Sequence, residues 1–312
     1  MFNENEKIDG FMYLKIEHGI IDDVTPPISL GKHLKIGTFK FNPKGTLRGQ
    51  RFLKKIFDNA LSYGVDDIYV TVFEEHNYLI RLFKLYGFNE CAIKETENGK
   101  EIVLLKCMKD TCSTGDVLSD YPFILNTDKQ NKFLLAIYPE FHTNLFPDSR
   151  LITESPDILK DISHTNSIRK VYICGMKGVL SLKPYDILVI YRTSDGRSAA
   201  YYNSVVSSIC VVENVQNITN FSSEDAFIDY CIKYSVFTKE QLQAFYIHKK
   251  YPFIITFTYN LALPKRLNRA SLIENVGLDP NDRWGILRLT DEQFHRIITL
   301  SETDENIIID KA

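Results

Sequence analysis

Gly45-Thr46-Leu47-Arg48-Gly49-Gln50-Arg51-Phe52-Leu53 joins an alternating apolar stretch to an amphipathic one. Upstream, residues 34–41 alternate as a strand does: Leu34, Ile36 and Thr38 on one side, Lys35, Gly37 and Phe39 on the other. Downstream, Leu53, Ile56, Phe57, Ala60 and Leu61 recur at helical spacing, opposite Lys54, Lys55, Asp58 and Asn59. That spacing predicts a helix over residues 47–63, ended by Gly64. A helix start of this kind suits phosphate. Its first N–H groups lack intrahelical partners, its dipole end is positive, and Arg48 and Arg51 add charge.

Working outward, residues 10–42 predict three strands, at 11–17, 20–24 and 34–41, with Pro26-Pro27 in the loop between the last two. Residues 67–73 predict a strand, with Ile68, Val70 and Val72 against Tyr69, Thr71 and Phe73. A helix over 76–86 then closes on Gly87, and the nearly all-apolar run 102–107 reads as an interior strand. The order is β-β-β-α-β-α-β within residues 1–110. The helix between 34–41 and 67–73 is a crossover, so those two strands are expected to be parallel.

Residues 111–165 are broken by Pro122, Pro139, Pro147 and Pro156 and read as a connector with a short strand at 133–138. His142 with Glu140, near Phe141 and Phe146, either lines a site or belongs to that connector. From residue 166 to 312 the texture is strand-rich: 171–174, 187–192, 199–213 and 253–259. Two helices interrupt it, one over 224–234 behind Ser222 or Ser223, the other after the capping box Thr238-Lys239-Glu240-Gln241. A final helix starts at Thr290. Strands with helical insertions fit a small closed barrel better than a doubly wound sheet. There is no internal repeat and no low-complexity tract.

The whole chain has 312 residues, 44% hydrophobic and 25% charged, with a formal charge of −3. These are values for an ordinary globular protein of two domains. Neither half is a polybasic arm, so a nucleic-acid site has to be a local patch. No apolar run approaches the roughly 20 residues of a membrane span. The polar start Met1-Phe2-Asn3-Glu4-Asn5-Glu6-Lys7 lacks a secretory apolar region, so a cytoplasmic protein is expected. The six cysteines form no CxxC pair and are expected to be reduced, Cys107 with Cys112 being the one redox alternative. No His spacing points to zinc, and no G-x-S-x-G or P-loop occurs.

The quoted turn, the strand at 67–73 and the later Tyr78-Leu79-Ile80-Arg81-Leu82-Phe83-Lys84-Leu85-Tyr86-Gly87-Phe88 together resemble the core of GNAT-type acyltransferases. Arg48-Gly49 matches the start of that family's phosphate turn, while Arg51 stands where a second glycine is usual and Leu53 where a third small residue is usual. The resemblance implies an acetyl-CoA-dependent N-acetyltransferase with a mixed sheet and crossover helices. The cofactor would pair with the strand edge at Phe39 and Phe41, continuing to Asn42. Its pyrophosphate would sit on Arg48, Gly49, Gln50, Arg51 and Phe52. The family's usual acid tyrosine, four residues before the glycine, is Phe83 here, which leaves Tyr86, Tyr78 or His76 as candidates for the acid, while Glu74, Glu75 or His76 would deprotonate the acceptor amine through water. The family normally begins with a strand and two helices that shape the acceptor site. Only about ten residues precede Phe11. Another domain, a second copy of the chain or a partner protein is therefore expected to complete the cleft, unless the module no longer catalyses.

Lys183-Pro184-Tyr185-Asp186-Ile187-Leu188-Val189-Ile190-Tyr191-Arg192 and the run 199–213 resemble the PUA-like superfamily, including its ASCH and EVE branches. That resemblance implies a β-barrel that binds RNA or modified bases. Lys177, Tyr191, Arg192, Lys233, Ser235 and Trp284 are then pocket candidates by charge and stacking. Each has a plainer role: Tyr191 in the core, Lys233 in solvent, Trp284 as a packing anchor. Lys249-Lys250 and Lys265-Arg266 with Arg269 are small basic clusters, in contact with phosphate or simply solvated. Barrels of the ASCH type also hydrolyse acylated pyrimidines with a lysine, a hydroxyl and a carboxylate; Lys177 or Lys183, Thr193 and Glu213 are available in type. The combined expectation is an N-acetyltransferase whose acceptor is RNA- or nucleotide-related and is presented by the second domain. The alternative is a non-catalytic RNA- or nucleotide-binding regulator or toxin–antitoxin-type component on a degenerate scaffold.

Overall fold

A computed structural model describes residues 10–41, 47–109, 112–149, 167–195 and 199–309. The chain forms two units, Met1–Pro122 and Phe123–Ala312.

The first unit runs β1 (Gly10–Ile21), β2 (Ile28–Phe41), α1 (Arg48–Tyr63), β3 (Asp67–Phe73), α2 (Asn77–Leu85), β4 (Asn89–Thr96), β5 (Gly99–Cys107) and the short α3 (Val117–Asp120). Its sheet has the order β1-β2-β3-β5-β4. β2 and β3 are parallel, as the crossover through α1 requires, and the other neighbours are antiparallel. α1 buries Leu53, Ile56, Phe57 and Ala60, and ends on Gly64 in the left-handed conformation (φ 56°). A second cluster gathers Ile21, Val24, Ile28, Tyr69, Ala92 and Val103.

Three details differ from the sequence expectation. The strands expected at 11–17 and 20–24 are largely one strand, β1, because Gly19 (φ 110°) bends the chain at a register shift without ending the ladder. The hairpin β4–β5 was not anticipated; a two-residue turn joins its strands. Finally, β2 carries a bulge at Gly37: Leu14 pairs with Ile36 and Tyr13 with Thr38. Past an extra residue the alternation changes phase, so Phe39 is not opposed to Ile36 but joins its side. There it meets Phe52 of α1 (5.6 Å) and Phe83 of α2 (5.3 Å).

The second unit contains β6 (Ile124–Leu125), β7 (Lys132–Ile137), α4 (Pro139–Leu145), β8 (Arg169–Cys174), β9 (Ile187–Arg192), α5 (Ala200–Asn203), β10 (Val205–Asn217), α6 (Glu224–Cys231), α7 (Lys239–His248), β11 (Phe253–Asn268), α8 (Arg269–Ser271), β12 (Ile286–Leu289), α9 (Asp291–Leu300) and β13 (Ile308–Ile309). Six strands form one sheet in the order β12-β7-β9-β10-β11-β8, and β6 pairs with β13. The expected closed barrel is not formed: among the described residues β8 and β12 each have one neighbour and end the sheet. One core holds Leu135, Ile137, Phe146, Leu188, Ile190, Val212 and Phe257. A second, with Phe227, Ile228, Cys231 and Leu242 of α6 and α7, covers Val171, Ile173 and Ile254.

The stretch expected as a connector divides at Pro122. β7 lies parallel to β9 from Lys132↔Ile187 to Ile137↔Arg192, so its apolar residues are core of the second unit. Part of the strand expected at 199–213 is the helical turn α5; β10 starts at Val205. Ser223 caps α6, and Thr238 and Thr290 close capping boxes on α7 and α9.

Candidate functional site

In the first unit the parallel ladder is short. It runs from His33↔Asp67 to Ile36↔Val70 and stops. β2 goes on to Phe41 beside β1 alone, and β3 to Phe73 beside β5 alone. The strands thus part at their carboxyl ends, directly after the Gly37 bulge. The Tyr13 ring lies over that glycine, where a Cβ would come within 2.8 Å of Tyr13 Cδ1.

α1 starts at this open end. Its N-cap residue, Leu47, has no side-chain oxygen to offer, and the first turn holds no acid. Leu47 therefore gives the positive end of α1 no side-chain cap. Arg48 and Arg51 are half-buried there. Gly49 is buried: a Cβ on it would stand 2.7 Å from Leu82 Cδ2 and 3.2 Å from Phe41 Cζ. The glycine lets the first turn sit against α2 and the end of β2. Gln50 is buried too, and its Oε1 has no hydrogen-bond partner. Phe52 lies 5.6 Å from Phe39 and 6.2 Å from Phe41. Asn42, Gly45 and Thr46 fall outside the described residues.

Glu74, Glu75 and His76 are exposed and follow β3 at the same open end. Tyr86 is fully buried, edge-on to Tyr121 at 6.2 Å, and Phe83 is equally buried. The Tyr86 carbonyl accepts from Lys106 Nζ at 2.8 Å, and the Ser119 carbonyl from the same amine at 2.6 Å. Burial pulls the Lys106 pKa down to about 8, against the opposing charge of Asp120. The structure brings Phe39, Phe41, Gly49 and Phe52 into one group and keeps Tyr86 in the core. Sequence reasoning missed Lys106 and the pair His33–Asp67 at the other end of the parallel ladder.

In the second unit Lys177 and Lys233 are exposed. Tyr191 and Trp284 are buried and meet edge-on at 5.3 Å. Trp284 Nε1 donates to the Asp279 carbonyl at 2.9 Å, and the Arg269 guanidinium lies 3.9 Å from its ring centroid. This is a packing anchor; a ring 8% exposed offers no face to a base. Arg192 is buried at the end of β9, with Nη1 3.4 Å from the Thr193 carbonyl. Ser235 is buried, and its Oγ has no hydrogen-bond partner. Glu213 is engaged by Arg169, whose Nε donates to it at 2.6 Å.

A polar chain lies deeper. His142 Nε2 is 2.7 Å from Ser207 Oγ, which is 3.2 Å from Ser208 Oγ. Ser149 Oγ lies 2.8 Å from Ser208 Oγ, 2.9 Å from the Tyr259 hydroxyl and 3.2 Å from the Ser207 carbonyl. All five residues are buried. Ser207 sits where the ladders of β10 with β9 and with β11 both shift register. Burial, with the charges of Arg192 and Arg266, pushes the His142 pKa down to about 3, so its ring is neutral. The chain was not legible beforehand, although His142 had been singled out. Among the described residues no three His, Cys, Asp or Glu side chains gather as a metal site requires, and no helix is long and apolar enough to cross a membrane.

No family model matches this sequence, and no curated protein does. Solved structures give distant likenesses. ASCH from Zymomonas mobilis has 10% identity and a TM-score of 0.34, over 54% of this chain and 94% of that one. Human THYN1, in complex with 5-methylcytosine containing DNA, has 14% identity and a TM-score of 0.30, over 56% and 99%. The N-terminal domain of Thermococcus gammatolerans McrB, bound to m5C DNA, has 10% identity and a TM-score of 0.32, over 55% and 98%. Likeness at this level leaves the function to the residues themselves.

Proposed function

We propose that the first unit binds acetyl-CoA and transfers its acetyl group to the amine of an RNA- or nucleotide-related acceptor that the second unit recognises. The observation that carries this reading is the parting of β2 and β3 after Ile36↔Val70, with the start of α1, which its N-cap residue Leu47 leaves without a side-chain cap, at the same end. The carboxyl ends of parallel strands are where open α/β sheets take ligands. The first turn of α1, with Arg48 and Arg51, would hold the pyrophosphate. The edge of β2 at Phe39 and Phe41 would pair with the amide-bearing arm. When bound, the cofactor supplies an activated thioester. The chain's own residues then have two tasks. A backbone N–H of β2 stabilises the oxyanion, and Glu74, Glu75 or His76 takes the acceptor proton through water.

A second reading has its own observation. Phe83 and Tyr86 are both buried, so neither offers an acid at the end of α2. On that reading the unit binds acetyl-CoA, or only its scaffold persists, and the protein is a nucleotide- or RNA-binding regulator.

Calorimetry with acetyl-CoA on the full chain, and on Arg48→Ala with Arg51→Ala, tests both. Binding by wild type that is lost in the double variant supports the cofactor site; labelled-acetyl transfer to tRNA then separates enzyme from binder. Absence of wild-type binding ends the acetyltransferase reading.

A further inference from the structure

The two edges of the first unit's sheet are built differently. β4 ends the sheet on one side. Asn89, Glu90, Glu95 and Thr96 make it polar, and its middle is closed by the loop between β1 and β2. There Thr25 N–H donates to the Ile93 carbonyl and Ile93 N–H to the Thr25 carbonyl, both at 2.8 Å.

β1 ends the sheet on the other side. Among the described residues it pairs with β2 alone, and no other backbone group bonds to residues 11–21. This edge is long and apolar. Phe11 and Tyr13 are 53% and 51% exposed on one face, while Met12, Leu14 and Ile16 are half-buried on the other. An open row of N–H and C=O groups of this length is a template for another strand, and proline or unbalanced charge is the usual guard. β1 has neither. It contains no proline, and its one lysine, Lys15, donates to Glu17 at 2.8 Å.

A second copy of the same strand suits this edge. Two β1 strands related by a two-fold axis run antiparallel, and directly opposed residues share a face. The bulge at Gly37 adds its extra residue to β2, so the alternation of β1 is unbroken there. Opposed residues are then both odd or both even in number, and the axis passes through a residue position. Two registers overlap the 12-residue strand most fully, with the axis at Lys15 or at Ile16. The first sets Lys15 against Lys15. The second sets Lys15 of each copy against Glu17 of the other, and Ile16 against Ile16. Opposite charges directly across a ladder stabilise it and like charges destabilise it. Glu17 is already held in place, since it accepts from the Tyr69 hydroxyl and lies 3.8 Å from Lys35 Nζ.

We propose that β1 is a self-association edge: two copies of the chain pair their β1 strands antiparallel about a two-fold axis at Ile16 and join their sheets into one. This goes beyond the acetyltransferase reading and does not depend on it.

Sedimentation of the full chain over a range of concentrations tests the pairing. Wild type is expected to show a monomer–dimer equilibrium. Lys15→Glu opposes two carboxylates at each charged pair and is expected to weaken the dimer about tenfold or more. Glu17→Lys opposes two ammonium groups and is expected to weaken it likewise. An equimolar mixture of these two variants restores opposite charges at both pairs, so the mixed dimer is expected to regain most of the wild-type association. If Glu17→Lys does not fold without its Tyr69 contact, Ile16→Lys and Ile16→Glu serve instead: each alone sets like charges together at the axis, and their mixture pairs them. A wild type that stays monomeric throughout overturns the proposal and leaves the edge to an extended segment of another protein. A dimer that Lys15→Glu does not weaken, or variants that fail to recombine, overturns it equally.

Discussion

His33 donates from Nδ1 to both oxygens of Asp67, at 2.8 and 2.9 Å, while its Nε2 lies 2.9 Å from the Gly19 carbonyl. Both partners only accept, so both ring nitrogens carry protons: His33 is a buried imidazolium that ties β1, β2 and β3 together. Burial alone would lower its pKa, but the Asp67 bond, the Gly19 carbonyl and the nearby Asp66 outweigh that and hold it above the ordinary value of 6.5. Burial pushes Asp67 up while its imidazolium partner pulls it back.

The sign of the pH dependence follows. A histidine whose folded pKa is raised contributes stability that is fully present below the unfolded pKa and is lost as pH rises through the folded one. Urea unfolding of wild type should therefore show stability falling as pH climbs from the ordinary histidine value of 6.5 into the alkaline range. Beside the pair, Lys109 and the backbone N–H of Lys32 both engage Asp66 and hold its carboxyl below the usual value, so it stays ionised across that range. His33→Gln should remove the slope. Asp67→Asn, which strands the buried imidazolium, should cost about 2 kcal/mol or more at neutral pH. A wild-type slope of opposite sign would show that the ring is neutral.

Gly87 holds φ 79°, and a Cβ there would lie 2.3 Å from the Ser119 carbonyl oxygen. Backbone cannot yield as a side-chain tip does. Gly87→Ala should therefore destabilise by more than Gly64→Ala, where φ is 56° but nothing lies within 4 Å of the added carbon. The expected costs are about 1 kcal/mol at Gly64 and at least about 2 kcal/mol at Gly87. Paired denaturation curves measure both.

Signals confined to neighbouring residues were readable in the sequence. Thr238 marks its helix through a capping box, Thr290 the start of the last helix, Gly64 a helix end, and Asp67 to Phe73 a strand. What failed depended on partners far along the chain. The bulge at Gly37 exists only in the pairing with Tyr13 and Leu14, yet it reverses the side on which Phe39 lies. The hairpin β4–β5 carries its own turn signal in Asn98-Gly99, but its first strand, Asn89 to Thr96, is mostly polar and exposed and lacks an apolar run to mark it. In the candidate sites, Gly49 was legible as a small residue at a helix start, but not that Leu82 and Phe41 occupy its missing side chain. His142 reaches Ser207 and Ser149 reaches Tyr259 across separations no local pattern records.

Trp284 is the only tryptophan, so its fluorescence reports its own surroundings. Buried against Tyr191 and Arg269, it should emit at short wavelength and resist acrylamide quenching. Arg269→Ala should uncover the ring and raise quenching clearly, with a small stability loss of about 0.5–1 kcal/mol from the cation–π contact. Nucleotides should not quench wild type directly. Strong static quenching by a nucleotide would instead make Trp284 a stacking platform.

Gln50 separates stability from binding in the first unit. Its Oε1 is buried at the start of α1 without a partner, and such an atom costs about 1–3 kcal/mol of desolvation. Gln50→Leu keeps much of the volume and removes the unsatisfied atom, so the free protein should gain about 1 kcal/mol. An amide oxygen held unsatisfied at the start of α1 makes sense if a ligand supplies the missing donor; pyrophosphate oxygens only accept, so on the acetyl-CoA reading that donor would be an N–H of the amide-bearing arm. The variant should then melt higher than wild type alone, yet show a smaller thermal shift with acetyl-CoA. A higher melting point with an undiminished shift would leave Gln50 outside the cofactor site, and a lower melting point would mean that its amide is satisfied after all.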